Sequence, residues 1–365
     1  MKILCVIDSL GSGGAQRQIV ELAKGFVEKG HEVSFLTYHK NDFYKEQLLK
    51  NSIAVSCIVE ANYLRRLIKM RRFIRSGNYN IVLSFLQASN FISEIAGFPW
   101  RNWKLIVGER SANPNILKSF KLKLFRWFHF FADFVVANSH ENLKMVRKIN
   151  PFLSNSKCHV IYNMVPSNLL EQNEVTSIEN DSKVHFVIGA SHQFLKNAKG
   201  MLNALLKLTP EQRKRIKISW FGDRIIPPYF DSSFENASEI VKMNCLSDIV
   251  EFYPATTDFL NMIKKADVVA LFSLYEGLPN VVCEGMSLAK PIMASNVSDI
   301  PLLLGHNVNQ IFDPQRPEEI ARTFEYYLNL PAKDFHAIGC RNREVAIVKF
   351  DKEKILDSYL KLMKK

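Results

Sequence analysis

Long apolar runs are missing from this chain of 365 residues, and none reaches the roughly 18 positions that a membrane-spanning helix requires. The N-terminal MKILCVI meets Asp8 too early for the apolar region of a secretory signal, so the expected location is the cytoplasm. Cysteine is scarce and scattered. Cys5, Cys57, Cys158, Cys245, Cys283 and Cys340 show neither the C-x-x-C spacing of a metal site nor the density of a disulfide scaffold, and are expected to be small buried hydrophobes. No low-complexity tract and no short-period repeat occurs, which excludes disordered and solenoid architectures. No D-x-D pair is placed for a metal, and no recognised nucleic-acid motif is present.

Acidic residues are lacking from one half only. Residues 1–164 carry 24 Lys and Arg against 11 Asp and Glu, a net +13, whereas the rest carries 24 against 25, leaving the whole chain at +12. The excess crowds into Arg65, Arg66, Lys69, Arg71, Arg72 and Arg75, and into Lys118, Lys121, Lys123 and Arg126. A basic face beside aromatics suits nucleic acid, anionic lipid or a phosphorylated substrate.

The length exceeds one hydrophobic core, so two domains are expected. Apolar strand-like runs alternate with amphipathic segments, beginning with KILCVI, a glycine turn, a helix over about 15–29 and HEVSFLTY. Runs at 53–59, 80–85, 104–109, 133–139 and 159–163 continue the pattern. This predicts a parallel sheet with helices on both faces and a ligand outside the carboxyl ends of its strands. The polar stretch 165–182 is the expected linker. A second β/α series follows, with strands in VHFVIG, IKISWFG, IVEFYP, DVVALF, PIMAS and NQIFD and helices over 200–208, 257–265 and 281–288. A last helix, near 352–364, repeats Ile355, Leu356, Tyr359, Leu360 and Met363.

The most informative segment is EGLPNVVCE, Glu276 to Glu284, directly after the apolar run ADVVALF. A carboxylate, a Gly-x-Pro turn and a second carboxylate suit a loop that ends a strand and opens a helix. Such a loop aims N–H groups at an anion while its carboxylates accept hydrogen bonds from hydroxyls. The segment resembles the E-x7-E signature of the retaining family 4 glycosyltransferases. The resemblance implies the GT-B fold: two Rossmann-like β/α/β domains facing each other across a cleft, with the C-terminal helix crossing back to the first. The implied boundaries are a basic acceptor-binding domain over 1–164, the linker, a nucleotide-sugar domain over 183–350 and the returning helix over 351–365. It also implies that Glu276 touches the donor sugar and Glu284 the ribose, with Gly277, Leu278, Pro279, Asn280 and Val281 lining the donor site.

Three further segments carry the likeness. The turn Gly11-Ser12-Gly13-Gly14-Ala15-Gln16-Arg17 is not the G-x-G-x-x-G dinucleotide fingerprint, because position 16 is Gln, and Thr37-Tyr38-His39 offers no acid for a ribose. It resembles the family turn in which Gly13, Gly14 and Arg17 would face the diphosphate and acceptor. VIGASHQFLKNAKG resembles the family's G-R-L-x(4)-K-[GN], matching Lys196, with Lys199 as an alternative, while Ala190 or Ser191 stands where an Arg is usual. Either the two lysines neutralise the diphosphate together, or Arg17 or Arg110 contributes from the other domain. The loop Gly108-Glu109-Arg110-Ser111 lacks the histidine of relatives; Arg110 is a candidate phosphate guanidinium, with Glu109 as its partner. Tyr253 stands where relatives hold the base by backbone contacts, which do not distinguish uracil, guanine and adenine; a UDP-sugar is the donor expected.

The segment Leu117 to Phe131, LKSFKLKLFRWFHFF, places Leu117, Phe120, Leu124 and Phe128 near one helical face, widened by Trp127, Phe130 and Phe131. It reads equally as a core-facing helix with solvated lysines or as a membrane-surface element, which the basic stretch 63–75 with Leu64, Leu67, Ile68 and Phe73 reinforces. The expected activity is transfer, with retention and without a metal or other cofactor, from a nucleotide-diphosphate sugar to a hydroxyl of a lipid-linked saccharide in bacterial surface-glycan assembly. The expected partners are that donor, that acceptor and an anionic membrane on which the protein sits peripherally, not nucleic acid. The alternatives are a sugar-nucleotide epimerase or phosphorylase on the same scaffold, or a catalytically degenerate membrane-surface or nucleic-acid-binding scaffold.

Overall fold

The computed structural model describes residues 1–166, 169–170, 183–224 and 231–365. The chain divides into two compact units, Met1–Met164 with Lys352–Lys365, and Val165–Asp351. The stretch expected as a linker lies mostly outside the described residues.

The first unit is built on seven parallel strands: β1 (Lys2–Val6), β2 (Glu32–Thr37), β3 (Ala54–Cys57), β4 (Ile81–Phe85), β5 (Lys104–Glu109), β6 (Phe134–Ala137) and β7 (Cys158–Val160), in the order β3-β2-β1-β4-β5-β6-β7. Its helices are α1 (Gly14–Glu28), α2 (Lys45–Lys50), α3 (Tyr63–Ser76), α4 (Gln87–Gly97), α5 (Phe120–Trp127) and α6 (His140–Ile149). Both sheet faces are covered, so the central strands are apolar throughout instead of alternating. Alternate residues serve different cores: Ile3, Cys5 and Leu83 face α1 and the C-terminal helix, while Leu4, Val6 and Val82 face α3 and α4.

The C-terminal helix, Lys352–Lys364, belongs to this first unit. Ile355, Leu356, Tyr359, Leu360, Leu362 and Met363 are buried, and each large apolar side chain so covered contributes about 1.5–3 kcal/mol. Gly25 of α1 permits the approach, since a Cβ there would stand 2.5 Å from a methyl of Leu356. Lys352 pairs with Glu28 and Lys29 with Glu353, each at 2.5 Å.

The second unit has six parallel strands: β8 (Val184–Gly189), β9 (Ile216–Phe221), β10 (Val250–Tyr253), β11 (Val268–Leu271), β12 (Ile292–Ser295) and β13 (Ile311–Phe312). Their order is β10-β9-β8-β11-β12-β13. Helices that periodicity did not mark out include Ser233–Met243, Pro317–Leu328 and Ala332–Lys349. In each sheet the chain reverses direction of winding once, between β1 and β4 and between β8 and β11, and crevices form beyond the strand ends at such points.

Two expectations about packing are corrected. Only Cys5 and Cys283 are buried; Cys57 and Cys245 are exposed and Cys158 and Cys340 lie half-buried, because each of these four stands at an edge strand, a turn or a helix surface. Phe120 and Leu124 do not face a core. Phe125, Arg126 and His129 are the buried members of that segment. Among the described residues no helix is long and apolar enough to cross a membrane.

Candidate functional site

In the second unit the loops after β8 and β11 meet. Leu274 N–H donates to the Leu195 carbonyl at 2.8 Å, which draws the segment carrying Lys196 against the one carrying Glu276. Lys196 Nζ lies 2.5 Å from Glu276 Oε1, and the same oxygen accepts from Ser273 Oγ at 2.8 Å. Both side chains are mostly covered yet reach solvent, so the pair is accessible to a ligand.

Asn197 explains the local chain path. It adopts φ 59° and ψ 40°, a left-handed conformation that Gly and Asn tolerate better than other residues, and this turns the chain from Lys196 into the helix Ala198–Lys207. Its Oδ1 accepts from Gly200 N–H at 3.1 Å as a helix cap, and its Nδ2 donates to the Pro314 carbonyl at 2.7 Å. A lysine followed by Gly or Asn is thus a backbone requirement as much as a chemical one. Lys199, in the first turn of that helix, is exposed and stands apart from the Lys196–Glu276 pair; Ser191 is half-buried just beyond β8.

The helix Asn280–Ser287 starts after Pro279, whose side chain makes no capping hydrogen bond, and has no acidic residue in its first turn. That leaves the partial positive charge of its N-terminus facing Gly277, Leu278 and Pro279. Ser298 Oγ donates to the Gly277 carbonyl, pinning the turn. Val281 and Glu284 are buried on this helix. Tyr253 closes β10: its ring stacks on Phe221 at 4.8 Å, its hydroxyl donates to Glu251 at 2.5 Å, and its carbonyl accepts from Gly222 N–H.

The first unit has its own concavity, of about 280 Å³, at the carboxyl ends of β1, β4 and β5. Asp8, Tyr38, Leu86, Gln87, Arg110 and Ser111 are among its lining residues. Asp8 Oδ1 accepts from Gln16 Nε2 at 2.9 Å and from Ser9 N–H at 2.6 Å, which ties the glycine turn to β1. Gly13 caps α1 in an extended conformation, Gly14 is its first residue, and Arg17 lies half-buried one turn on. Leu86 sits at φ 75°, a costly conformation for a branched side chain and one that clusters at functional sites. Burial pushes the Tyr38 phenol up to about 12, so it stays a donor. Asp8 and Tyr38 were not singled out in the sequence; the abrupt polar residue ending the apolar run of β1 was the available signal.

Arg110 and Glu109 are not partners. Arg110 lies over the Phe85 ring at 3.8 Å, donates to Tyr359 Oη at 2.5 Å and to Asn163 Oδ1 at 3.3 Å, and so joins the cavity wall to the C-terminal helix. Glu109 also borders the cavity, but strand geometry sends its side chain to the face opposite that of Arg110. There Arg126 donates to its Oε2 at 2.6 Å, and His129 stands 3.1 Å from its Oε1 and 2.6 Å from Glu94 Oε1. All four groups are buried. Burial alone would lower the His129 pKa, but the two carboxylates push it up to about 9. Burial works against Glu109 ionising, yet Arg126 and His129 outweigh it and hold that carboxyl below its usual range, while burial raises Glu94.

The basic residues of the first unit divide accordingly. Arg126 is buried in this network and cannot meet an outside partner, which corrects its assignment to the membrane side. Arg71 donates to the carbonyls of Ile95, Ala96 and Phe98, and Arg75 to those of Ala96 and Trp100, capping the end of α4. Arg66 lies over the rings of Tyr38 and Tyr63, and Lys69 pairs with Glu60 at 2.7 Å. Arg65, Arg72, Lys118, Lys121 and Trp127 are exposed, and Lys123 is half-buried.

Comparison with known proteins supplies the family. Residues 12–169 match the model "Glycosyltransferase Family 4", and residues 182–329 match "Glycosyl transferases group 1". A Campylobacter jejuni relative is 25% identical over 304 residues, spanning 78% of this chain and 77% of its own. That relative is the GalNAc-alpha-(1->4)-GalNAc-alpha-(1->3)-diNAcBac-PP-undecaprenol alpha-1,4-N-acetyl-D-galactosaminyltransferase. An uncharacterized glycosyltransferase of Haemophilus influenzae is 23% identical over 363 residues, 90% of this chain and 91% of its own. Among solved structures, Anabaena HepE in complex with UDP and glucose superposes with a TM-score of 0.86 at 18% identity, covering all of both chains. The lipopolysaccharide outer core galactosyltransferase WaaB gives 0.72 at 14%, covering all of this chain and 99% of its own. With two Rossmann-like parallel-sheet domains and both halves matched by transferase models, this chain belongs to the family 4 glycosyltransferases of the GT-B fold.

Proposed function

We propose that this glycosyltransferase moves a sugar, with retention and without a metal, from a UDP-sugar to a hydroxyl of a lipid-linked saccharide. The observation that carries the donor side is the Lys196–Glu276 pair, with Glu276 in the loop that leads into the N-terminus of the helix Asn280–Ser287. In the resting protein Glu276 occupies Lys196. A bound diphosphate would share that ammonium and receive the helix N–H groups, while Glu276 turns to sugar hydroxyls and Glu284 to the ribose. The support for UDP is the nucleotide bound by HepE, and for a lipid-linked acceptor the substrate named for the Campylobacter relative.

In the transfer, the bond from the anomeric carbon to the diphosphate oxygen breaks, and a bond from that carbon to the acceptor oxygen forms on the same face. The acceptor proton passes to the departing phosphate, and the product is nucleoside diphosphate. Negative charge grows on the leaving group, so Lys196 and the helix N–H groups stabilise the transition state more than the ground state. Lys199, in the first turn of the following helix, is a secondary cation for the same charge. Arg110, whose buried Nε has no partner among the described residues, brings fixed positive charge to the acceptor side.

A lipid-linked acceptor places the enzyme on the cytoplasmic face of a membrane as a peripheral protein, with the basic first domain toward anionic lipid. The test is incubation of the purified, chelator-treated protein with UDP-sugars and an undecaprenyl-diphosphate-linked saccharide, reading UDP release and the anomeric configuration of the product. Inversion, a strict need for added metal, or no UDP release with any sugar nucleotide would overturn the corresponding part.

A further inference from the structure

In the segment from α5 through the turn Phe128–Phe131, Arg126 and His129 are fully buried beside Phe125, whereas Phe120 is 81%, Trp127 46% and Phe130 58% exposed. An amphipathic helix that faced a core with all its aromatics would cover these rings. Glu94 and Glu109 hold Arg126 and His129 inward, and Phe125 packs on Phe91, which leaves Phe120, Trp127 and Phe130 on the outer side.

These rings join others on the same surface. Trp127 and Phe152, itself 74% exposed, have centroids 6.0 Å apart, and Phe131 lies 5.6 Å from Phe98 and 5.8 Å from Phe130. Lys157 Nζ stands 5.4 Å from the Phe130 ring and donates to the carbonyls of Phe130 and Ala132. From Arg110 to Ala132 the sequence holds no Asp or Glu, and Lys118, Lys121 and Lys123 border the aromatic surface.

Resting on the peripheral-membrane reading above, we infer that this aromatic surface is a preformed wedge that seats in the headgroup layer of an anionic bilayer. Three observations favour lipid over a protein partner: the rings are Phe and Trp, which suit the boundary between headgroups and acyl chains, the stretch 110–132 that carries most of them holds lysines and no acid, and the whole half of the chain is net positive. The wedge also alters the expected character of binding. With Arg71, Arg75 and Lys69 engaged within the protein, fewer cations on α3 remain for headgroups, and apolar insertion carries more of the contact.

The experiment is flotation of the full chain with vesicles of phosphatidylcholine alone and of phosphatidylcholine with phosphatidylglycerol, at low salt and at about 1 M salt, where the Debye length falls to about 3 Å. The expected result is preference for the anionic vesicles at low salt and retention of part of the binding at high salt. A Phe120→Ser, Phe130→Ser, Phe152→Ser variant should lose about tenfold or more in partitioning while keeping its thermal unfolding midpoint, since all three sites are exposed. Brominated acyl chains should quench Trp127 fluorescence, judged against Trp127→Phe. Equal binding by the triple variant, no quenching of Trp127, or loss of self-association in place of vesicle binding would overturn the wedge. Neither donor nor acceptor is present, so failure here leaves the transferase reading intact. Vesicle binding without UDP release would instead strike the transferase reading alone.

Discussion

Lys196 Nζ and Glu276 Oε1 stand 2.5 Å apart although 80 positions separate them in sequence, because the loops after β8 and β11 are joined by the Leu274–Leu195 backbone hydrogen bond. The pair holds the cation ready without leaving it bare in solvent. Lys196→Ala should therefore cut turnover by about two to three orders of magnitude, as removal of other transition-state donors does. Steady-state UDP release checks this. A normal rate in Lys196→Ala with collapse in Lys199→Ala would transfer the role to Lys199.

Glu284 is buried on the helix that follows the Gly-x-Pro turn. If it holds the donor ribose, Glu284→Ala should weaken UDP binding by roughly 1.5–3 kcal/mol, the range for a hydrogen bond to a charged group. Calorimetric titration with UDP gives the number directly. Unchanged affinity in a folded variant would remove the ribose assignment.

Asn197 combines a left-handed backbone with a helix cap. Asn197→Ala should cost about 1–2 kcal/mol, mainly the lost cap, with a further part because alanine tolerates the left-handed region less well than asparagine. Asn197→Gly keeps the conformation and should cost less than about 1 kcal/mol. Denaturant titrations of the two variants should separate them. An alanine variant as stable as the glycine one would show that the backbone conformation is not limiting.

The buried network of Glu94, His129, Glu109 and Arg126 makes stability depend on pH from both sides. His129 is raised from an ordinary value of about 6.5 to about 9, so its contribution is complete below about 6.5 and is lost as pH rises through 9. Glu109 is lowered, so its contribution is present above its ordinary value and is lost as pH falls through the depressed one. Unfolding free energies between about pH 7 and 10 should fall with pH in the wild type, and Glu94→Gln should flatten that slope. A pH-independent wild type would mean that His129 is neutral throughout.

Arg126→Met removes one partner and leaves Glu109 buried beside His129 alone. The expected loss is about 3–5 kcal/mol, the usual result of breaking a buried ion pair from one side. The same change at exposed Arg72 should be nearly silent, and the contrast between the two melting temperatures is the measurement.

Much of the fold was legible because it rests on short-range pattern. Continuous apolar runs separated by amphipathic segments predict parallel strands covered on both faces, and the sheets of both units follow from them. The segment Glu276–Glu284 was legible as strand, turn and helix start, since Gly277 and Pro279 punctuate it locally. The long helices Pro317–Leu328 and Ala332–Lys349 were passed over. In the second of these, polar and apolar residues are mixed around the axis, so periodicity marks no single face.

By itself the sequence determined what adjacent residues decide: strand and helix periods, the Gly-x-Pro turn that opens a helix, and a positive first half. Only the tertiary structure decided which of those charges face outward. Arg126 and Lys123 look alike in sequence, three positions apart on one helix. Arg126 is buried because Glu109 on β5 meets it, while Glu94 of α4 and Glu109 together hold His129, and a charge leaves water only where such partners repay its desolvation. Trp127 and Phe130 stay exposed on the same segment, and the burial of His129 between them depends on Glu94, 35 positions away, which no local pattern encodes.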